Sequence, residues 1–344
     1  MSAAFTDLID LASERLGGAA ILANDEFFAS KDNLVKPSPA IWIEGKYTDR
    51  GKWMDGWETR RRREPGAVSA VSAVSYDWCI LRLGTPGIVH GVDVDTSFFT
   101  GNYPESCAID SCDLPHLAGA DAANAASWRE ILPRTALAGN AHNLFPVTEA
   151  PKATHVRLCI LPDGGVARLR IYGDVVVDWA RLAKRGDVDL AAAEHGGLVV
   201  ACSDMFFGSR HNLIMPGEAQ GMADGWETKR RRGPGHDWTI VRLGTRGAAR
   251  RIEVDTRHFK GNAPGSCSVE ACTSGDAAAA PDGTGNLRGQ TPWQELLPQT
   301  PLQPNARHVF EDEVRTIGDV THVRFNIFPD GGVGRLRVYG IPRP

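Results

Sequence analysis

Asp55-Gly56-Trp57-Glu58-Thr59-Arg60-Arg61-Arg62-Arg63 returns 169 positions later as Asp224-Gly225-Trp226-Glu227-Thr228-Lys229-Arg230-Arg231-Arg232. A match of that length and composition makes the chain a tandem duplication. A second pair of stretches supports this. Thr154–Gly173 reads THVRLCILPDGGVARLRIYG and Thr321–Gly340 reads THVRFNIFPDGGVGRLRVYG, with fifteen of twenty positions identical. Two units of roughly 170 residues suit the 344-residue length, and each is long enough to bury its own core.

Within each unit the sequence reads as short strands broken by turns. Asp77–Thr85 and its copy Asp237–Thr245 read as a strand buried on most of both faces. Val92–Thr96 and Ile252–Thr256 alternate as a half-buried strand. Thr154–Gly173 and Thr321–Gly340 suggest a β-hairpin around Pro-Asp-Gly-Gly. Helical spacing is confined to residues 1–16, ended by Gly17-Gly18, to Trp179–Lys184, and to the Trp-led segments near 128 and 293. The expectation is all-β: two jelly-roll sandwiches, with few short helices. The first unit spans residues 1–178, a linker 179–186, and the second unit 187–344. Ile41–Lys46 and Val68–Tyr76, present only in the first unit, read as loop or edge-strand insertions.

Composition narrows the function classes. A formal net charge of −4 argues against a nucleic-acid partner despite the arginine runs. No apolar run approaches the ~18 residues of a membrane helix, and the first residues do not resemble a secretion signal. Seven cysteines, an odd number, suit free thiols in a reducing compartment, so a cytoplasmic protein is expected. No metal motif or nucleophile motif is visible, and no cofactor is implied; dependence on a divalent metal stays open.

In the hairpin register, Val156, Leu158, Ile160, Leu169 and Ile171 would face the core. The other face would carry His155, Arg157, Arg168, Arg170 and Tyr172, with Arg157 opposite Arg170 and Arg324 opposite Arg337. Like charges across a ladder repel, so either internal acids (Glu58, Asp93, Asp95) neutralise them or an arginine holds an anionic ligand. Trp57 reads as core. Arg62 and Arg63 read as a solvated basic edge. Asp55 and Glu58 are acid–base candidates, because nearby arginines tune a carboxylate in either direction.

Several motifs, in the same order through both halves, resemble the allantoicase family. They are Gly17-Gly18, Asn24–Ala29, Lys36-Pro37, Gly51–Arg61, Asp77-Trp78, Asp95-Thr96, Gly101–Pro104 and Pro162–Arg170. The resemblance implies two galactose-binding-like jelly rolls, hydrolysis of allantoate to ureidoglycolate and urea, and a homo-oligomer. For that chemistry the catalytic candidates are Glu58, Asp55 and His155. The substrate-binding candidates are Arg157, Arg170, Arg168, Asn102, Asp163 and Arg60. Their second-repeat equivalents are Glu227, Asp224, His322, Arg324 and Arg337. Direct attack by water and elimination followed by hydration both fit. The first half, which keeps Glu26 and Tyr103 where the second has Met205 and Ala263, is the expected principal site. A non-catalytic carbohydrate- or ligand-binding module, with Tyr103 and Trp42 as platforms, is the alternative.

Overall fold

Asp77–Asp95 forms one strand of 19 residues where the sequence suggests two. Its first part pairs with Ala19–Ala23 and with most of Lys152–Leu161. Its second part pairs with Arg168–Val175 and His142–Pro146. One strand therefore serves both layers of a sandwich, which is how a single strand makes a corner between packed sheets. The computed structural model describes residues 4–62, 76–115, 117–274, 287 and 290–344. Arg63 and most of the Val68–Tyr76 insertion lie outside them. The chain divides into two units, Met1–Val176 and Val177–Pro344.

In the first unit the strands run in the order Ile9–Asp10, Arg168–Val175, Asp77–Asp95, Lys152–Leu161, Ser106–Cys112, Arg129–Ala136. The second unit repeats it as Val188–Asp189, Arg335–Pro342, Asp237–Asp255, Asp319–Phe328, Ser266–Cys272, Gln294–Pro301. The expected all-β tandem jelly-roll architecture is observed. Non-consecutive neighbours dominate the order, so most pairing is long-range.

The closing stretch is not a hairpin. Lys152–Leu161 and Arg168–Val175 each pair with Asp77–Asp95 and not with one another. Between them the chain passes through a cis Leu161–Pro162 bond, and Gly165–Val166 pairs instead with Trp57–Glu58. Gly165 is needed there because a Cβ would lie 1.9 Å from the buried Phe99 ring. The five apolar residues expected in the core are all fully buried. Alternation correctly sorted each strand's faces, because both strands turn the same set of side chains toward one shared interior. The pairing of Arg157 with Arg170 fails: Arg157 faces Ile80 and Asp110, while Arg170 faces Asp93.

Two helical expectations also fail. Residues near 128 and 293 lead into the edge strands Arg129–Ala136 and Gln294–Pro301. Pro133 and Pro298 lack an N–H and are tolerated because only one neighbour needs the ladder. The N-terminal spacing gives 3-10 turns at Ala4–Asp7 and Glu14–Leu16 around the strand Ile9–Asp10. The predicted stop is real: Gly17, at φ +96°, caps the second turn in a conformation that favours glycine. Trp179–Leu182 is helical as expected.

Trp57 and Trp226 are fully buried, and each indole N–H donates to a backbone oxygen, of Asp25 and Asp204, at 2.8 Å. Burial of a ring of that size, with its polar atom satisfied, stabilises by about 2–3 kcal/mol. Each anchors the repeated Asp-Gly-Trp-Glu segment to its own sandwich. All seven cysteines are free, and six are buried.

Candidate functional site

Arg60, Arg61 and Arg62 of the opening motif are spent on acids of their own unit. Arg60 Nε meets Asp25 Oδ2 at 3.0 Å. Arg61 Nη1 meets Asp163 Oδ1 at 2.8 Å, and the Arg62 backbone N–H donates to the other oxygen of Asp163 at 2.8 Å. Arg62 is not a solvated edge: its guanidinium bonds buried Asp77 at 2.5 Å and the Tyr76 carbonyl at 2.8 Å. Asp163 thus ties the Pro-Asp-Gly-Gly crossover to the motif.

Asp55 and Arg168 form a buried pair at 2.7 Å. Arg168 directs all five of its N–H donors inward, to Asp55 and to the carbonyls of Ser38, Pro39, Asp55 and Ala167. Burial acts against the Asp55 carboxylate. The Arg168 and Ile41 hydrogen bonds and the Arg168 and Lys36 charges outweigh it and lower its pKa. Asp55 also accepts from the Ile41 N–H at 3.0 Å, so it fastens the insertion peculiar to the first repeat. Beyond that point Tyr47–Thr48 pairs with Gly51–Lys52, and Trp42 stacks on Phe98.

Glu58 and Asn102 are brought together, as their shared candidacy requires. The Asn102 amide donates to Glu58 at 2.7 Å, and Asn262 to Glu227 at 2.6 Å. Burial raises the Glu58 pKa, with partial offset from Asn102 and Arg61. His155 is elsewhere and fully buried, its Nδ1 2.9 Å from Thr154 Oγ1. Burial, helped by Arg242, pushes its copy His322 down to about 4. Arg157 lies over the Trp128 ring and bonds Asp110 at 2.6 Å, and Arg324 bonds Glu270.

Arg170 sits in a different group, one that residue spacing did not reveal. Its Nη1 lies 3.3 Å from Asp10, and its Nη2 donates to the carbonyls of Pro37 and Ser38. Asp10 itself is fixed by the N–H groups of Ile171 and Ala12. Across the ladder from Arg170 is Asp93, whose Oδ2 lies 2.7 Å from His142 Nδ1. Asp93 is buried, whereas the His142 side chain is 65% exposed. Burial raises the Asp93 pKa against the pull of His142. Burial also acts against the imidazolium, but the hydrogen bond and charge of Asp93 prevail and raise the His142 pKa. Tyr172 completes the group, its pKa raised by burial and then by Asp10 and Asp93. The available signal was register: Asp93 and Arg170 share a ladder position only when both strands are placed on Asp77–Asp95.

The second unit repeats this framework with Asp189, Arg337, Glu253 and Tyr339, around a cavity of about 390 Å³. Arg307 takes the place of His142 and bonds Glu253 at 2.6 Å. Among the described residues no group of three or more His, Cys, Asp or Glu is arranged to hold a metal ion.

The family model described as "Allantoicase repeat" matches residues 9–176 and again 188–343. The chain belongs to the allantoicase family. It is 47% identical over 334 residues to "Probable allantoicase 1" of Burkholderia mallei, covering 96% of this chain and 94% of that one. It is 49% identical to "Probable allantoicase" of Ralstonia nicotianae, with the same coverage. Among solved structures it is similar to the allantoicase of Saccharomyces cerevisiae, at 35% identity and a TM-score of 0.78, covering 96% of this chain and 92% of that one. As a member of the allantoicase family the chain is a hydrolase, which removes the reading as a non-catalytic binding module. No helix among the described residues is long and apolar enough to cross a membrane.

Proposed function

We propose that the chain hydrolyses allantoate to ureidoglycolate and urea at the first-repeat group built from His142, Asp93 and Arg170. The observation that carries this reading is the contact between buried Asp93 and exposed His142 beside an arginine already fixed in place. Allantoate carries one carboxylate and two ureido groups on a single carbon. Arg170 keeps Nε and one Nη1 hydrogen without a partner among the described residues, and these donors receive the carboxylate. Asp93 Oδ1, buried and without a partner, is an acceptor for a ureido N–H.

The central carbon loses urea only if the departing nitrogen is protonated. His142, held by Asp93 through Nδ1, supplies that proton from Nε2 as the C–N bond breaks. Water forms the new C–O bond and returns a proton to the now neutral imidazole. The proton balance is the same whether water attacks directly or adds to the C=N cation left by departure. Asp93 orients the imidazole and stabilises its charged form, in the manner of a carboxylate–histidine pair.

In this reading Asp55, Asp163, Arg60 and Arg168 brace the segment around the site, Glu58 and Asn102 hold the 101–104 loop, and His155 and Arg157 support the opposite half of the sandwich. Free, mostly buried thiols support a reducing compartment and hence the cytoplasm. Exposed Phe206 and Phe207 support self-association into a homo-oligomer. Urea release from allantoate tests the site. His142→Asn is expected to lower kcat by about 10²–10⁴-fold, and Arg170→Met to raise KM. Wild-type turnover in His142→Asn would exclude this assignment.

A further inference from the structure

The second-repeat cavity is not a copy of the first-repeat group. Three differences set it apart. Arg307 stands where the first repeat has His142, Arg257 where it has Ser97, and Arg251 lies over the Tyr339 ring. Arg307 and Arg257 both have pKa values raised above that of an ordinary arginine, by the carboxylates Glu253 and Asp255 that they bond. A guanidinium that never loses its proton near neutral pH cannot trade protons with a substrate. At the position of the proposed acid–base residue, the second repeat can therefore bind but not catalyse.

The cavity nonetheless has the features of a binding site. Its volume of about 390 Å³ suits a small organic molecule. Arg337 lines it and is held by the Met215 and Gly217 carbonyls, each at 2.7 Å. Its Nη1 is buried without a partner. Glu194, on the cavity wall, has a buried Oε2 that also lacks one. A buried donor and a buried acceptor are thus left without protein partners, where buried polar groups are ordinarily paired. His195 adds a third polar group: its Nδ1 is 2.8 Å from the Asp189 carbonyl, which leaves Nε2 as an acceptor in the neutral ring.

Unused arginine donors call for a carboxylate. The unused acceptors of Glu194 and His195 call for N–H donors on the same small molecule. A carboxylate bearing a ureido group has both. We propose that the second-repeat cavity is a separate, non-catalytic binding site for a small ureido carboxylate. The proposal rests on the assignment of catalysis to the first repeat.

Calorimetric titration of the full chain with N-carbamoylglycine, a stable carboxylate with one ureido group, tests it. The wild type is expected to bind two molecules per chain. Arg337→Gln is expected to bind one, with turnover of allantoate at saturation within about twofold of wild type. Because Arg337 is largely buried and its replacement can disturb folding, the more exposed Arg307→Ala serves as a second variant. It should weaken one of the two binding events about tenfold or more, the loss expected for one charged hydrogen bond. Unchanged binding in both variants, or a wild-type stoichiometry of one that survives Arg337→Gln, overturns the site. Loss of turnover in folded Arg337→Gln or Arg307→Ala would overturn its non-catalytic character. The His142→Asn assay is independent: its failure would remove the first-repeat reading while the titration still reports whether the cavity binds.

Discussion

His142 Nδ1 lies 2.7 Å from Asp93 Oδ2, with the carboxylate buried and the imidazole open to solvent. That contact fixes which ring nitrogen faces outward, and it favours the charged ring. An acid that must be protonated loses activity as pH rises through its pKa. Asp93→Asn keeps an acceptor oxygen but removes the negative charge that helps raise the His142 pKa, so the alkaline limb of kcat should move toward lower pH. A pH–rate profile of urea release, compared with wild type, checks it. An unmoved limb would exclude His142 as the titrating acid. The same contact has a stability consequence. With a folded pKa above its unfolded value, His142 contributes stability that is full below the unfolded value and is lost as pH rises through the folded one.

The Asp55–Arg168 pair is a framework contact, and its removal should register in stability before chemistry. Arg168→Met leaves buried Asp55 with the Ile41 N–H and with Lys36 at 3.8 Å. Breaking one side of such a pair costs about 3–5 kcal/mol. Denaturant unfolding should report that loss, and the double variant Asp55→Asn, Arg168→Met should be less destabilised than the sum of the two singles. Additive effects would mean that the two side chains act independently.

How much of this was legible in the sequence differs by level. The duplication, the strand content and the inward faces of Val156, Leu158, Ile160, Leu169 and Ile171 were legible, because alternation is a local property of a strand. Which strands pair is not local. Pro-Asp-Gly-Gly has the composition of a hairpin turn, yet Phe99 and the Trp57–Glu58 strand occupy the space around Gly165 and carry the chain across to the other layer. The same misplacement hid the proposed site. Arg170 was named for its charge, but Asp10, Asp93 and His142, separated from it by up to 160 positions, join it only through the ladder. Conversely, Arg168 was conspicuous in sequence and proves wholly internal, since nothing local reveals that five carbonyl and carboxylate partners surround it.

Glu58 provides a direct contrast with His142. Its carboxylate accepts from Asn102 at 2.7 Å and holds the loop that precedes Pro104. Gln at this position keeps an acceptor oxygen, so Glu58→Gln is expected to retain turnover within a few-fold. Glu58→Ala leaves the Asn102 amide unpaired and should cost about 1–3 kcal/mol. Urea release and thermal unfolding, measured on both variants, separate the roles. A collapse of kcat in well-folded Glu58→Gln would return Glu58 to the chemistry.

Two desolvated histidines should make the second repeat sensitive to acid. His322 is buried and His211 partly buried, and desolvation, aided by Arg242 and Arg210 respectively, pushes both down to about 4. In the unfolded chain each titrates near 6.5. A folded value below the unfolded one means that the stability is present above the unfolded pKa and lost as pH falls toward the folded one. A shift of that size corresponds to roughly 3 kcal/mol per histidine at most. Unfolding by urea at pH 7 and at pH 4.5 should therefore show a marked loss for the wild type. His322→Gln cannot take up the proton, so it should lose less stability over the same interval, whatever its starting value. Equal losses in the two proteins would mean that His322 does not titrate between those pH values.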